Sequence, residues 1–571
     1  MDKARRIGIL GGGPSALFVM KRWIESDQKG FSLTIFEQNN RLGSGMPYST
    51  LGAGREHITN VSDNEIPELV SSISDWMASV PRQKLDLYGI DAERFSEYRV
   101  LPRLLFGEYL SDQFDLLLDR AKRMDLHVSV QLSAQVVDVR ENKSTEEVVV
   151  ILSDGRQFSF DHIIICTGHY WPSVREQQTP DYFDSPYPPS KLERKLNHTV
   201  AIRGASLTAI DAIRTLARSN GSFVKHGDGR VVYTPDPSSS DFKIVMHSRN
   251  GLLPAVRFHL EDSHFSKQSM LTPEQVSANR EQNGGFLSLD YVFERTFKDV
   301  FREKDPDFYQ GIRDMNLEQF VDTMMERREK VDPFTFFKAE YAEAAKSIRR
   351  RESVLWKEML AVLSFALNYP AKYLSAEDMM RLQHVLMPLI AIVIAFVPQS
   401  SCEELIALHE AGILSLTAVG DDGEFEPHTT GAVFQYDVEG ERQTVHYKTF
   451  IDCVGQRHLS FEQFPFKSLI ADETVTAARL RFQSAIRGEH VLKRDGKPVS
   501  RDDKGNYYLT VPGIAINDHF QVVDKYGAFN KRIFVMAVPF IGGFNPDYSG
   551  LDFCEAVSAI IVNTLVKGTA V

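Results

Sequence analysis

The stretch Ile7-Gly8-Ile9-Leu10-Gly11-Gly12-Gly13-Pro14-Ser15-Ala16 decides the fold class. Four residues of short buried strand lead into a G-x-G-x-x-A turn, and the run from Leu17 to Ile24 continues as an amphipathic helix. Each residue type has a mechanical reason to be there. Gly11 permits the turn, Gly13 lets a pyrophosphate approach the backbone, and Ala16 allows close helix packing. The N-terminus of the helix that follows the turn offers unpaired N–H groups to an anion. The next strand, Phe31 to Phe36, ends at Glu37, where a carboxylate can accept hydrogen bonds from a ribose 2′-hydroxyl. An acid at that position favours FAD or NAD over a nucleotide carrying a 2′-phosphate.

The same grammar recurs near residue 198. Thr199 to Arg203 reads as a strand, Gly204-Ala205-Ser206-Leu207-Thr208-Ala209 as a turn and Ile210 to Ala217 as a helix, with Ser206 at the place of the middle glycine. The following strand, Lys243 to His247, ends at Ser248-Arg249. An arginine there neutralises a ribose 2′-phosphate, so this second turn points to NADPH rather than NADH. Both units also close alike. Val136 to Arg140, Val148 to Leu152 and Gln157 to Phe160 form an antiparallel meander before Ile163-Ile164-Ile165-Cys166-Thr167-Gly168. Ala432 to Asp437 and Gln443 to Tyr447 repeat that plan before Phe450-Ile451-Asp452-Cys453-Val454-Gly455.

The expected architecture is α/β with two Rossmann-like dinucleotide-binding domains. The first is discontinuous (1–197 and 461–571), the second spans 198–270 and 401–460, and 271–400 is a mostly helical insertion in the second. Charge runs such as Glu326-Arg327-Arg328-Glu329-Lys330 read as solvated helix faces. The insertion is a substrate chamber or lid in one reading, and an oligomerisation, packing or partner-binding surface in the other.

Composition narrows the function classes. The 571 residues carry a net charge of −12, a field that repels phosphate backbones and anionic lipid, so nucleic acid is not an expected partner. The four cysteines contain no C-x-x-C pair, and no histidine or carboxylate spacing suggests a metal site. Lys3, Arg5 and Arg6 before an apolar run imitate a signal peptide, but the glycines and Pro14 interrupt it and no cleavage pattern follows. The apolar stretch Val385 to Val397 contains Pro388 and is shorter than the ~20 residues a membrane span needs. A cytoplasmic protein with no membrane partner is expected.

Taken in order, these pieces resemble the two-dinucleotide-binding flavoproteins. The narrower likeness is to the FAD-NAD(P)-binding family that includes flavin-dependent N-hydroxylating monooxygenases, among them the aspartate N-hydroxylases that form nitrosuccinate. It is carried by Gly11 to Ala16, Arg41-Leu42-Gly43-Ser44-Gly45-Met46-Pro47-Tyr48, His57-Ile58-Thr59-Asn60-Val61, Leu101-Pro102-Arg103, Gly107-Glu108-Tyr109-Leu110, Cys166-Thr167-Gly168-His169, Gly204 to Asp211 and Ser248 to Pro254. The resemblance implies a C-terminal strand near Ile533 to Pro539 and a helix from Asp552 to Leu565, led by Asn545-Pro546-Asp547-Tyr548-Ser549-Gly550-Leu551 and facing the flavin.

By the motifs and the resemblance, Gly11, Gly13, Pro14, Ser15, Ala16, Glu37, Arg41, Tyr48, Asn60, Thr167, Gly168, Gly550 and Leu551 are expected to hold FAD. Gly204, Ser206, Leu207, Thr208, Ser248 and Arg249 are expected to hold NADPH. Asn60 and Arg257 are candidates for the substrate side, with Arg55 and His57 as further candidates for binding a carboxylate. The implied reaction is NADPH-dependent monooxygenation of a small polar amine or amino acid with O2; the alternative is an NAD(P)H oxidase or reductase. One departure stands out: the F-x-G-x-x-x-H pattern of Baeyer–Villiger flavoproteins is absent, since that region reads Phe183-Asp184-Ser185-Pro186-Tyr187-Pro188.

Overall fold

The computed structural model describes residues 4–91, 95–168, 171, 173–260, 270–368, 370–420, 423–438, 440–456, 458–496, 498–547 and 550–567. Of the residues singled out above, Lys3, His169, Tyr548 and Ser549 lie outside these.

Two sheets organise the chain. The first has six strands in the spatial order Gln521–Val523, Phe529–Val535, His162–Ile165, Arg5–Leu10, Phe31–Phe36 and His127–Gln131. Every pairing in it is parallel except that of the edge strand Gln521–Val523. A parallel sheet is covered on both faces, which is why Ile7, Ile9 and Leu10, like Ile163 to Ile165, are fully buried in unbroken apolar runs. Ile533 and Val535 pair with Ile163 and Ile165, so a strand from near the C-terminus completes a sheet begun at residue 5.

The second sheet is wholly parallel, in the order Tyr182–Phe183, Thr449–Asp452, Thr199–Arg203, Lys243–Ser248 and Leu414–Ala418. The two glycine turns leave their sheets in the same way. Gly11 N donates to Phe36 O at 2.9 Å and Cys166 N to Leu10 O at 2.8 Å; Gly204 N donates to His247 O at 2.8 Å and Cys453 N to Arg203 O at 2.8 Å. Both glycines take positive φ, +101° and +110°. The helices that follow, Pro14–Ser26 and Leu207–Asn220, have Gly13 and Ser206 as N-caps. Both meanders form as three-stranded antiparallel sheets, the second gaining Glu424–Pro427 as an extra strand.

From Pro273 to Glu410 the described residues are mostly helical, as the periodicity predicts. This stretch bridges the two sheets. Val276, Phe297, Phe320, Leu363, Leu386 and Val393 belong to the same core as the first sheet and the C-terminal helix Leu551–Lys567. Phe334, Phe337, Ala344, Phe396 and Val397 instead pack with the second sheet. An insertion in the second unit by sequence is thus largely attached to the first by packing, because its helices present apolar faces on two sides. Two further elements carry no strong pattern in the sequence: the hairpin Gly221–Lys225/Val231–Pro235, and a three-stranded sheet of Ala477–Arg481, Tyr507–Ile514 and Val499–Arg501.

Candidate active site

A cleft of about 830 Å³ runs along the first glycine turn. At one end it is lined by Phe36, Glu37, Gln38, Asn39 and Ala134 to Val136, and in the middle by Gly11, Gly13 to Ser15 and Cys166 to Gly168. The other end is formed by Gly45 to Tyr48, Asn60, Met536 to Phe540, Gly550, Leu551, Phe553 and Cys554. Gln463 and Pro465 to Lys467 join the lining from beyond the second return glycine. Ser468 Oγ donates to Asp138 Oδ2 at 2.5 Å, tying that segment to the first meander.

Local bonding shapes the cleft before any ligand enters it. Glu37 is 6% exposed; its Oε2 accepts from Gly12 N at 2.8 Å, and its Oε1 from Asn39 N at 2.8 Å and Asn39 Nδ2 at 2.7 Å. Each carboxylate oxygen can accept more than one hydrogen bond, so capacity remains for a ribose hydroxyl. The helices Pro14–Ser26 and Leu551–Lys567 pack together and begin at the cleft, where Ser15 Oγ and Cys554 Sγ are 3.5 Å apart. Their N-termini place positive dipole ends beside the same space.

Three observations fit these residues to a dinucleotide. Thr167 Oγ1 is buried at the cleft wall with no partner among the described residues, an acceptor or donor left over for a ligand. A β-carbon on Gly168 or Gly550 would meet nothing within 4 Å, so both face open space, whereas one on Gly11 would press on Cys166 O at 2.8 Å. The volume lies in the range of small-molecule and cofactor clefts, about 300–1,000 Å³.

Burial pushes up the thiols of Cys166 and Cys554, the latter to about 11, so both are protonated at neutral pH and are poor nucleophiles. Burial likewise raises the Tyr48 phenol, against the nearby Arg103 guanidinium, and its ring stands edge-on to Phe106 at 4.9 Å. Among the described residues no group of three or more His, Cys, Asp or Glu could hold a metal ion.

At the second turn Ser206 is exposed at the start of Leu207–Asn220, and Thr208 Oγ1 lies 3.7 Å from the β-carbon position of Gly455. Ser248 Oγ is buried without a partner among the described residues, and Arg249 beside it is exposed. The helix Leu207–Asn220 docks on the first unit through Asp211. Arg103 Nη1 and Tyr187 Oη both donate to Asp211 Oδ2, at 2.5 and 2.7 Å. Burial works to raise the Asp211 carboxyl, but Arg103, His57 and the Tyr187 hydroxyl outweigh it and hold it below the usual carboxylate range.

Of the residues expected to hold the first cofactor, Gly11, Gly13, Pro14, Ser15, Glu37, Tyr48, Asn60, Thr167, Gly168, Gly550 and Leu551 all line one cleft. Ala16 is fully buried behind it, in its packing place. Arg41 is not in the lining; it is half exposed and pairs with Asp112 at 3.0 Å. Arg257 corrects the expectation of a substrate-binding cation. It is 6% exposed and its guanidinium is committed to Asn60 O, to Ser62 Oγ at 2.7 Å and to Glu65 Oε2 at 2.5 Å. His57 is equally committed: it is buried, with Nε2 3.1 Å from both Asp211 O and Thr215 Oγ1, and burial lowers its basicity. Arg55 is exposed. The sequence reading missed Gln38, Asn39, Ala134, Gln135, Gln463, Pro465, Phe466 and Lys467 as lining, residues of loops and element ends without periodicity; the Asn39 side chain beside a strand-end acid was an available signal.

Comparison with known proteins agrees with this arrangement. Residues 8–170 match the FAD-NAD(P)-binding family, and residues 272–394 match the YdhS-like middle domain. The uncharacterized protein YdhS of Escherichia coli (strain K12) is 30% identical over 471 residues, covering 81% of this chain and 86% of YdhS. The chain belongs to the YdhS family. It combines an FAD-NAD(P)-binding domain and two Rossmann-like sheets with a YdhS-like helical middle domain. Among solved structures, ornithine hydroxylase of Pseudomonas aeruginosa aligns over 99% of both chains at 11% identity and a TM-score of 0.48. The bacillithiol disulfide reductase of Staphylococcus aureus aligns over 100% of both at 10% identity and a TM-score of 0.42. Likenesses at this level carry no argument about the reaction. No helix among the described residues is long and apolar enough to cross a membrane.

Proposed function

We propose that this YdhS-family chain is an FAD-dependent, NADPH-using monooxygenase that N-hydroxylates a small polar amine or amino acid. FAD would be held in the 830 Å³ cleft, with Glu37 and Ala134 to Val136 available to the adenosine, the Gly11 to Ser15 turn to the pyrophosphate, and Tyr48, Asn60 and the start of Leu551–Lys567 to the ring. NADPH is held at Gly204 to Thr208, with Ser248 and Arg249 on its 2′-phosphate. FAD, when bound, supplies the acceptance of hydride from NADPH and the activation of O2.

The protein's part is placement and dryness. Glu37, fixed by Gly12 N and Asn39, orients the ribose. The two helix N-termini favour negative charge at the pyrophosphate and at the reduced ring. Protonated, buried Cys166 and Cys554 offer no thiolate to compete for oxygen. One observation carries the choice of monooxygenase over oxidase: the middle domain shares a core with the strand that ends, and the helix that begins, at the ring side of the cleft. Asn368 Oδ1 accepts from Asp547 N at 3.0 Å in the loop that leads to that helix. The domain is thereby tied to the loop beside the ring side of the cleft without lining it, a position from which it would limit the water that reaches the site where oxygen must be delivered to substrate.

The purified protein should be yellow, with an absorption band near about 450 nm from oxidised flavin. NADPH oxidation across a panel of amines and amino acids should accelerate with one class of substrate, and labelled O2 should appear in the product. NADPH consumption that yields only peroxide with every member of the panel would move the assignment to an oxidase.

A further inference from the structure

The segment Glu56 to Glu65 passes the ring side of the cleft and is held at both ends by the second unit. At its start, Thr215 Oγ1 donates to Glu56 Oε1 and His57 Nε2 lies 3.1 Å from Asp211 O, both partners being on the helix Leu207–Asn220. At its end, the Arg257 guanidinium donates to Asn60 O, Ser62 Oγ and Glu65 Oε2. Asn60, between the two, lines the cleft.

First-unit bonds hold the residues on either side of Asn60: Arg103 N donates to His57 O at 2.9 Å, Arg103 Nε to Ile58 O at 3.2 Å and Leu101 N to Thr59 Oγ1 at 3.1 Å, whereas the Asn60 carbonyl takes its bond from Arg257. The strand Ile58–Ser62 pairs only with the short Val100–Pro102, in a two-stranded sheet whose register shifts between Ile58 and Ser62. Isolated two-stranded pairings are marginal in water. The turn after it closes on itself, with Ser62 N donating to Glu65 Oε2 at 2.7 Å, but Glu65 carries a charge that is 86% removed from solvent at its side chain and is matched by Arg257. A planar guanidinium can satisfy a carbonyl, a hydroxyl and a carboxylate at once, which an ammonium of the same charge cannot do in fixed geometry.

We propose that Arg257 is a positioning residue: reaching across from the second dinucleotide-binding unit, it holds the Asn60 backbone so that the Asn60 side chain meets the flavin ring. This rests on the assignment of FAD to the cleft. Arg257 does not touch the cofactor; it acts through Asn60.

The test is a double-mutant cycle on cofactor binding rather than turnover. FAD is titrated into apoprotein of wild type, N60A, R257Q and N60A/R257Q, reading the dissociation constant from quenching of flavin fluorescence and the position of the bound visible bands. N60A and R257Q should each weaken FAD by about tenfold and shift the bands alike, and the double variant should be no weaker than the worse single within about twofold. R257K, which keeps the charge and reaches Glu65, should recover part of the affinity but not the band position; it is read in place of R257Q if the latter does not fold. Effects that multiply in the double variant, or R257Q with wild-type affinity and spectrum, overturn the inference. Wild type that takes up no FAD overturns the cofactor assignment itself, a result the variants cannot imitate.

Discussion

The β-carbon position of Gly11 lies 2.8 Å from the carbonyl oxygen of Cys166, at a backbone φ of +101°. Strand end and return strand therefore meet so closely that only glycine fits. Gly168, two residues past that carbonyl, is the opposite case, with nothing within 4 Å of its β-carbon position. Gly11→Ala should cost about 1–3 kcal/mol of apoprotein stability from strain alone and should abolish FAD retention. Gly168→Ala should leave the apoprotein melting temperature unchanged and lower FAD affinity by about tenfold or more, because its methyl group fills ligand space. Thermal denaturation of apoprotein alongside flavin content separates the two effects.

Glu37 serves the fold as well as the ligand. Replacing it with alanine leaves the buried amide of Gly12 without its acceptor, an omission worth about 1–3 kcal/mol. Glu37→Gln keeps one oxygen acceptor and should lose less stability than Glu37→Ala, while both lose the ribose contact and bind FAD at least about tenfold more weakly. Melting temperature and FAD titration of the two variants check the split.

The parts of the fold that were legible in the sequence are those where backbone geometry demands a residue type. Gly11 and Gly204, the apolar runs Ile163 to Ile165 and Phe450 to Ile451, and the acid at Glu37 each announce a turn, a buried strand or a sugar contact. The Arg257 and Asp211 pairings were not legible, because a buried ion pair joins residues far apart in the chain and neither partner's local pattern differs from that of a surface charge. Gln463 to Lys467 escaped for a similar reason. The segment reaches the cleft through long-range contacts, Ser468 bonded to Asp138 and Phe464 edge-on to Phe540 at 5.3 Å, and the first of these joins residues separated by the whole second unit. The middle domain was visible as helices, but its helical period cannot say which sheet it packs on.

Asp211 is another junction between the units, beside Arg257. Its carboxylate is buried between Arg103 and Tyr187, and its pKa is held low by Arg103 chiefly, so its contribution is present above the unfolded carboxylate range and lost only as the pH falls through its depressed folded value. Asp211→Asn leaves a buried guanidinium without its counter-charge and should cost about 3–5 kcal/mol at pH 7. Chemical denaturation at pH 7 measures the loss directly.

Acid should weaken the fold well before carboxylates titrate. Burial lowers His162 and His247 from 6.5 to about 4, and His247 sits among the rings of Phe425, Phe434 and Tyr447. Between those values the unfolded chain binds protons that the folded chain does not, so stability falls as the pH drops from 6.5 and levels off below 4 for these groups. Each accounts for about 3 kcal/mol across that window. His247→Gln should lower stability at pH 7 but flatten its decline between pH 6.5 and 4.5, as followed by melting temperature against pH.

The proposed NADPH site makes Arg249 the residue that selects between the pyridine nucleotides at the second turn. It follows the strand Lys243–Ser248 as an exposed residue, and beside it the buried Ser248 hydroxyl has no partner among the described residues. A guanidinium and a hydroxyl at the end of this strand suit a 2′-phosphate, whose charge-assisted bonds NADH cannot make. Arg249→Ala should weaken NADPH by about tenfold or more while changing NADH by less than about twofold, and Ser248→Ala should shift the same ratio by a smaller factor. Binding of both nucleotides to the FAD-loaded protein, followed by the perturbation of the flavin absorption bands, gives the two constants without turnover. Equal losses for NADPH and NADH would remove the 2′-phosphate assignment and leave Arg249 as a surface residue of the turn.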